Sequence, residues 1–150
     1  KQFDHEGGIR TPMIAHWPQG IEKPGRLVRT VSHLIDILPT VLEVSDVELA
    51  NKTKEKLQVQ LDGQSFVPAF TGKKTPGRET LFFHHARGKA FRQGNWKVVA
   101  SDRGKWELYD LSTDPLELND LAQRMPEKTS QLTQLWAAES KRHARQAATQ

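Results

Sequence analysis

The 150-residue sequence contains no cysteine, which excludes disulfides and thiolate metal sites but does not separate an oxidising compartment from a reducing one. It also lacks any apolar run approaching the ~20 residues that cross a bilayer. Neither an initiator Met nor a signal peptide is visible at Lys1, and the chain opens inside a patterned loop, so the expectation is a fragment or truncated product. No internal repeat or low-complexity tract occurs. The densest basic cluster, Lys141-Arg142-His143-Ala144-Arg145, has no aromatic residues alternating with it, as a nucleic-acid stacking platform needs. A net charge of +4 with pI near 9.5 is by itself a poor argument for nucleic acid. The cluster reads as a solvated helix end whose cations suit the C-terminal dipole.

What is present is a globular composition, with 36% hydrophobic and 27% charged residues and a mean hydropathy of -0.66. A chain of this size ordinarily forms one domain and buries about two thirds of its unfolded surface. Its organising stretch is residues 1–18, KQFDHEGGIRTPMIAHWP. A loop holding a cation, a carboxylate and two glycines runs through Thr11-Pro12 into Met13-Ile14-Ala15-His16-Trp17, which predicts a strand buried on both faces. Polar groups gathered where a buried strand begins are a common setting for function.

After an exposed connection at residues 19–25, residues 27–31 predict a short extended piece. Asp36 is placed to cap a helix over Ile37–Val44, since Pro39 is tolerated in a first turn and apolar residues recur at helical spacing. That helix should cover the sheet to which residues 13–17 belong. Residues 45–60 are polar and lysine-rich and read as a surface excursion. A short apolar helix is expected at residues 66–70, ending at Gly72, and Lys73-Lys74-Thr75-Pro76-Gly77 marks a boundary. Beyond it the period changes: runs at residues 80–85, 89–92, 96–100 and 106–111 predict an antiparallel meander. Residues 118–124 predict one or two helical turns. Pro126 starts a last helix over about 127–145, with Leu132, Leu135, Trp136 and Glu139 marking the stripe that packs on a sheet face.

The segment Lys1…Glu6-Gly7-Gly8-Ile9-Arg10-Thr11-Pro12 resembles the late signature of the type I, formylglycine-dependent sulfatases, Lys-x-x-x-x-Glu-Gly-Gly-x-Arg-x-Pro. The likeness continues through Ser32-His33-Leu34-Ile35-Asp36-Ile37-Leu38-Pro39-Thr40, Leu61-Asp62-Gly63-Gln64-Ser65, Gly94-Asn95-Trp96-Lys97, Glu107-Leu108-Tyr109-Asp110-Leu111 and Asp114-Pro115-Leu116-Glu117. Each match is weak alone; their order along nearly the whole chain makes them specific. The resemblance implies an α/β fold, the C-terminal part of an alkaline-phosphatase-like sulfatase, ending in a small antiparallel sheet subdomain packed by a long C-terminal helix. Residues 1–74 would close the catalytic domain and residues 75–150 would form that subdomain.

The resemblance also assigns chemistry. Lys1 takes the place of the lysine that contacts the substrate sulfate; an ammonium with three donors suits a tetrahedral oxyanion and stabilises growing charge. Glu6, the glycines and Arg10 are read as architecture, with Glu6 and Arg10 pairing to fix the loop; no second carboxylate is placed to divide acid and base roles with Glu6. His84 and His85 are adjacent, so on a strand they face opposite sides and do not share one ion easily. Many relatives carry Glu-His-x-Gly-Asn-Arg/Lys-Ala near the substrate entrance. His85, Lys89 and Ala90 keep part of that pattern, without the Glu and the Gly-Asn pair, and make His85 a candidate substrate contact. The Cys/Ser-x-Pro-Ser-Arg site of formylglycine and the paired aspartates and Asp-Asn that hold calcium have no match here; Asn119-Asp120 is in reverse order. No metal or cofactor is therefore expected on this fragment, and both are expected in the intact enzyme. Its partners would be a sulfate-ester substrate and the rest of the catalytic domain, with neither nucleic acid nor membrane. A periplasmic or extracellular place follows from the resemblance. The fragment alone should be inactive. Rival readings are a non-catalytic interaction module and a basic anion- or nucleic-acid-binding domain.

Overall fold

The computed structural model describes residues 3–48, 61–73, 77–85, 88–101 and 104–148. The surface excursion expected at residues 45–60 falls largely outside them, as do Lys1 and the centre of the boundary at residues 73–77. The chain divides into two compact units, Lys1–Met13 with Glu79–Gln150, and Ile14–Arg78. Residues 3–13 thus fall in the same unit as the sheet.

In the first unit four strands, β1 (Thr80–His85), β2 (Gly88–Gln93), β3 (Trp96–Ser101) and β4 (Glu107–Asp110), form one antiparallel sheet in sequential order. The meander read from the aromatic and β-branched runs is what forms. Gly94, with φ of 58°, turns the β2–β3 hairpin, a conformation that suits glycine. Because side chains alternate along a strand, the register Phe82, Phe91, Val98 and Leu108 places these four on one face. Helix α4 (Pro126–Ala148) covers that face: Leu132 is fully buried among Phe91, Val98 and Leu108, with Leu135 and Trp136 packed alongside. The Trp136 Nε1–H donates to the Phe83 carbonyl at 3.0 Å, so the expected stripe does seat the helix. On the opposite face Ala90, Val99 and Tyr109 make a second buried cluster beside Phe83 and Leu111. Residues 118–124 contain no helix among the elements; the carbonyl of Leu121 accepts from both Arg124 and Met125 N–H, closing a single turn.

The second unit holds a 3₁₀ turn at Leu34–Asp36, α2 (Ile37–Val44) and α3 (Val67–Phe70). Asp36 occupies the N-cap of α2, but its side chain makes no cap bond. It is turned inward instead, accepting from His33 N–H at 2.7 Å, Gln64 N–H at 2.8 Å and the Arg78 guanidinium. The cap falls to His33, whose Nδ1 accepts from Ile35 N–H. Burial pushes the Asp36 carboxyl up, but the Arg78, Gln64 and His33 hydrogen bonds outweigh it and the net result is lowered.

The buried strand expected at residues 13–17 does not form. Met13 and Ile14 are 55% and 94% exposed, and every strand among the described residues lies in the meander. A strand needs a neighbour for its backbone hydrogen bonds, and the unit Ile14–Arg78 holds no strand among the described residues. Nor do residues 27–31 form a strand.

Candidate functional site

The segment expected as a glycine loop is a single helical turn, α1 (Glu6–Ile9), in which Gly8 and Ile9 N–H both donate to the His5 carbonyl. A Cβ on Gly8 would fall 2.2 Å from the Phe3 carbonyl oxygen, so only glycine lets the chain double back here. The expected pairing of Glu6 with Arg10 is not made. Glu6 reaches instead to Lys97 on β3, Oε1 to Nζ at 3.0 Å.

Lys97 is the centre of the arrangement. It is 0% exposed and holds a second carboxylate, Glu117 Oε1, at 2.8 Å. Burying an ammonium costs several kcal/mol unless it is paired and hydrogen-bonded, and two carboxylates meet that demand. Glu117 in turn accepts the backbone N–H of Glu6 through Oε2. It stands at a φ of 56°, outside the usual range of a non-glycine residue. The preceding turn holds it there: Asp114 accepts from Leu118 N–H at 2.9 Å and Asn119 N–H at 2.8 Å. Those same two backbone bonds lower the Asp114 carboxyl from its ordinary value. Asp120 Oδ1 accepts from Leu108 and Ala122 N–H, tying the loop to β4.

The two residues before Glu6 are gripped as well. His5 Nε2 lies 2.8 Å from Glu107 Oε2, and the Tyr109 hydroxyl donates to that same oxygen at 2.9 Å. Burial first, and then the Glu107 carboxylate, push the Tyr109 phenol well above its ordinary value. Asp4 is 3% exposed and lies 3.0 Å from His85 Nε2, whose side chain is 42% exposed. Gly88 makes room for this pair, since a Cβ there would fall 2.6 Å from Asp4 Oδ2. Asp4, His5 and Glu6 therefore meet His85, Glu107 and Lys97 on the sheet face opposite α4.

Of the two candidates named from sequence, Lys1 lies outside the described residues and His85 sits at the end of β1 against Asp4. Sequence reasoning did not single out Lys97, Glu117, Glu107, Asp4 or His5. The available signal was a lysine at Lys97 inside an otherwise apolar strand run. No group of three or more His, Asp or Glu side chains among the described residues could hold a metal ion, and Asp120 of the reversed Asn-Asp pair is already taken up by backbone N–H groups.

The four-stranded antiparallel sheet with a long helix on one face gives the chain a fold shared with solved sulfatases. The family described as N-sulphoglucosamine sulphohydrolase, C-terminal, matches residues 1–144, and the chain belongs to it. An uncharacterized sulfatase of Schizosaccharomyces pombe is 34% identical over 143 residues, covering 91% of this chain and 26% of that protein. The N-acetylglucosamine-6-O-sulfatase of Bacteroides thetaiotaomicron is 27% identical, covering 81% and 23%. Among solved structures, a protein in complex with its substrate D-glucosamine-2-N,6-O-disulfate matches with a TM-score of 0.52 at 23% identity, over 71% of this chain and 23% of that one. A 2-O GAG sulfatase matches with a TM-score of 0.50 at 22% identity, over 73% and 24%. The chain thus spans about a quarter of the length of the relatives it matches.

Proposed function

We propose that this chain is the C-terminal part of an enzyme that hydrolyses sulfate esters, with carbohydrate sulfates as the substrate class. Residues 1–74 would complete the catalytic α/β domain and residues 75–150 would form the appended subdomain. In this reading the Lys1 ammonium contacts the sulfate and stabilises charge on its oxygens or on the leaving oxygen. The half-exposed His85 ring, oriented by buried Asp4, offers a second contact to the substrate. The observation that carries the proposal is the Glu-Gly-Gly turn itself, which in a chain of this family is fixed by a buried ammonium and two carboxylates.

A formylglycine nucleophile and a calcium ion belong to the same proposal but to the sequence preceding Lys1. The chemistry of this chain is that of Lys1 and the groups that hold its segment. The rest of the catalytic domain would cover the apolar side of α2, where Leu38 and Val41 are 49% and 51% exposed. The family supports a periplasmic or extracellular place; no helix among the described residues is long and apolar enough to cross a membrane.

The test is sulfate release by the full-length protein from 4-nitrocatechol sulfate and from glucosamine 6-sulfate. Lys1→Ala should lower kcat/KM on both by about 10²-fold, the loss expected for one preorganised charge-stabilising group. His85→Ala should raise KM on the sugar substrate. Failure to release sulfate from any ester overturns the proposal, and unchanged kinetics in either variant removes that residue from it.

A further inference from the structure

We propose that Lys89, held over Trp106 and Trp136 on the α4 side of the sheet, forms with the exposed His84 a binding site for a sulfated carbohydrate chain. The choice of ligand rests on the reading of carbohydrate sulfates as the substrate class.

Side chains alternate along a strand, so Lys89, two residues before Phe91, shares the α4 face with it. Its ammonium stands 4.7 Å from the centre of the Trp106 ring and 5.6 Å from that of Trp136, within the range of cation–π attraction. Among the described residues no carboxylate pairs with it. The opposite face is built differently: there Lys97 meets Glu6 and Glu117, His85 meets Asp4, and His5 meets Glu107. Ring faces attract an ammonium without neutralising it. The half-buried Lys89 therefore keeps its charge beside an apolar shelf, where solvent ions screen it less than at an open surface.

The shelf is fixed before any ligand arrives. Trp136 donates its Nε1–H to the Phe83 carbonyl at 3.0 Å. Its ring meets Trp106 edge-on at 5.5 Å between centres and stacks on Phe82 at 5.8 Å. His84 stands directly across from Lys89 in the β1–β2 register and packs edge-on against Trp136 at 5.1 Å. Ammonium and imidazole thus rise from adjacent strands beside one aromatic floor, and the exposed Lys105 adjoins Trp106 in the chain. Glu139, about one turn along α4 from Trp136, is paired with Arg142 at 2.8 Å rather than with Lys89.

A sulfate group carries a permanent negative charge and offers several acceptor oxygens to the three donors of an ammonium. Apolar rings with a few placed polar groups are the usual lining of a small-ligand site. Single-stranded nucleic acid fits less well, because its bases stack on open aromatic faces and Lys89 already stands over the Trp106 face.

The experiment titrates the full-length protein calorimetrically with a heparin hexasaccharide, its fully desulfated counterpart and a thymidine hexanucleotide. Lys89→Met should weaken binding of the sulfated hexasaccharide about tenfold, the loss expected for one charged hydrogen-bonding group. Lys89→Arg, which keeps the charge and stacks on indole, should retain most of the affinity. Unchanged affinity in Lys89→Met, equal affinity for the desulfated chain, or tighter binding of the hexanucleotide overturns the site. Sulfate release from glucosamine 6-sulfate should be the same in Lys89→Met as in the unaltered protein; a tenfold loss there would place Lys89 in the catalytic machinery and overturn a separate chain-binding role. Titration needs no turnover, so a protein that releases sulfate from no ester refutes the sulfatase reading while the affinities still decide this one. Should Lys89→Met fail to fold, NMR of the unaltered protein decides: the sulfated hexasaccharide must shift the indole N–H signals of Trp106 and Trp136, and shifts at Trp17 alone, or none, overturn the site.

Discussion

The carboxylate of Asp36 is the keystone of the second unit, and its removal has a calculable effect. Its side chain is 2% exposed and faces Arg78, itself 14% exposed, and it accepts the N–H groups of His33 and Gln64 at 2.7 and 2.8 Å. Asp36→Ala strands a largely buried guanidinium and two amides. Breaking a buried pair from one side costs about 3–5 kcal/mol, and each hydrogen bond to a charged group contributes about 1.5–3 kcal/mol. The expected loss is thus at least about 4 kcal/mol, a large share of the about 5–15 kcal/mol of a whole domain. Amide exchange reads the loss directly: the α2 amides and the Phe66 N–H, which donates to Thr40 Oγ1 at 2.8 Å, report opening of this unit. Arg78→Met should cost a similar amount alone, while the double variant should cost clearly less than the sum, because both partners of the ion pair are then gone. A loss below about 1 kcal/mol for Asp36→Ala, or strict additivity, would refute the reasoning. The pH dependence follows from the sign of the shift. The Asp36 carboxyl is held below its ordinary value, so its stabilisation is present above about pH 4 and fades as pH falls through the folded-state value.

Two further outcomes concern the sheet unit. Tyr109 is the chain's single tyrosine, and its phenol is pushed above its ordinary value by burial and by Glu107. The rise of absorbance near 295 nm should therefore lag that of free tyrosine, and stability from this group, complete below about pH 10, should fall as pH climbs beyond it; ionisation at the ordinary value would contradict the burial. Leu132 is fully buried between α4 and the sheet, so Leu132→Ala should cost about 2–5 kcal/mol in urea denaturation, and a loss under about 1 kcal/mol would mean the helix does not depend on that contact.

Patterns confined to neighbouring residues were legible in the sequence. The four runs between Gly88, Gln93-Gly94-Asn95 and Gly104 became β1 to β4 because β-branched and aromatic residues suit a pleated, half-buried surface. The stripe of Leu132, Leu135 and Trp136 became the buried side of α4 because its spacing keeps these residues on one side of the helix. Residues 13–17 misled for a physical reason: an apolar run expresses a demand for burial, and whether a neighbour meets it is settled elsewhere. Asp36 misled in a similar way. Its position before a helix fits a cap, but partners 28 and 42 residues further along, Gln64 and Arg78, claim the same oxygens. A carboxylate has about four acceptor sites, and an arginine with buried amides outcompetes a solvent-facing helix end for them.

The site shows the same competition at its sharpest. Glu6 and Arg10, four apart, looked like a local pair, yet Glu6 finds Lys97 from 91 residues away. The preference follows from where each cation stands. Arg10 is exposed, and an exposed pair contributes about 0–1 kcal/mol. Lys97 lies inside a strand between apolar neighbours, where leaving it unpaired costs several kcal/mol. A carboxylate near both goes to the cation that has no other source of solvation. A lysine in an apolar strand run is therefore itself the signal, because it requires acidic partners from distant segments. Here those partners are the Glu-Gly-Gly turn and the strained Glu117, so two segments far apart in sequence are the two hands of one ionic grip.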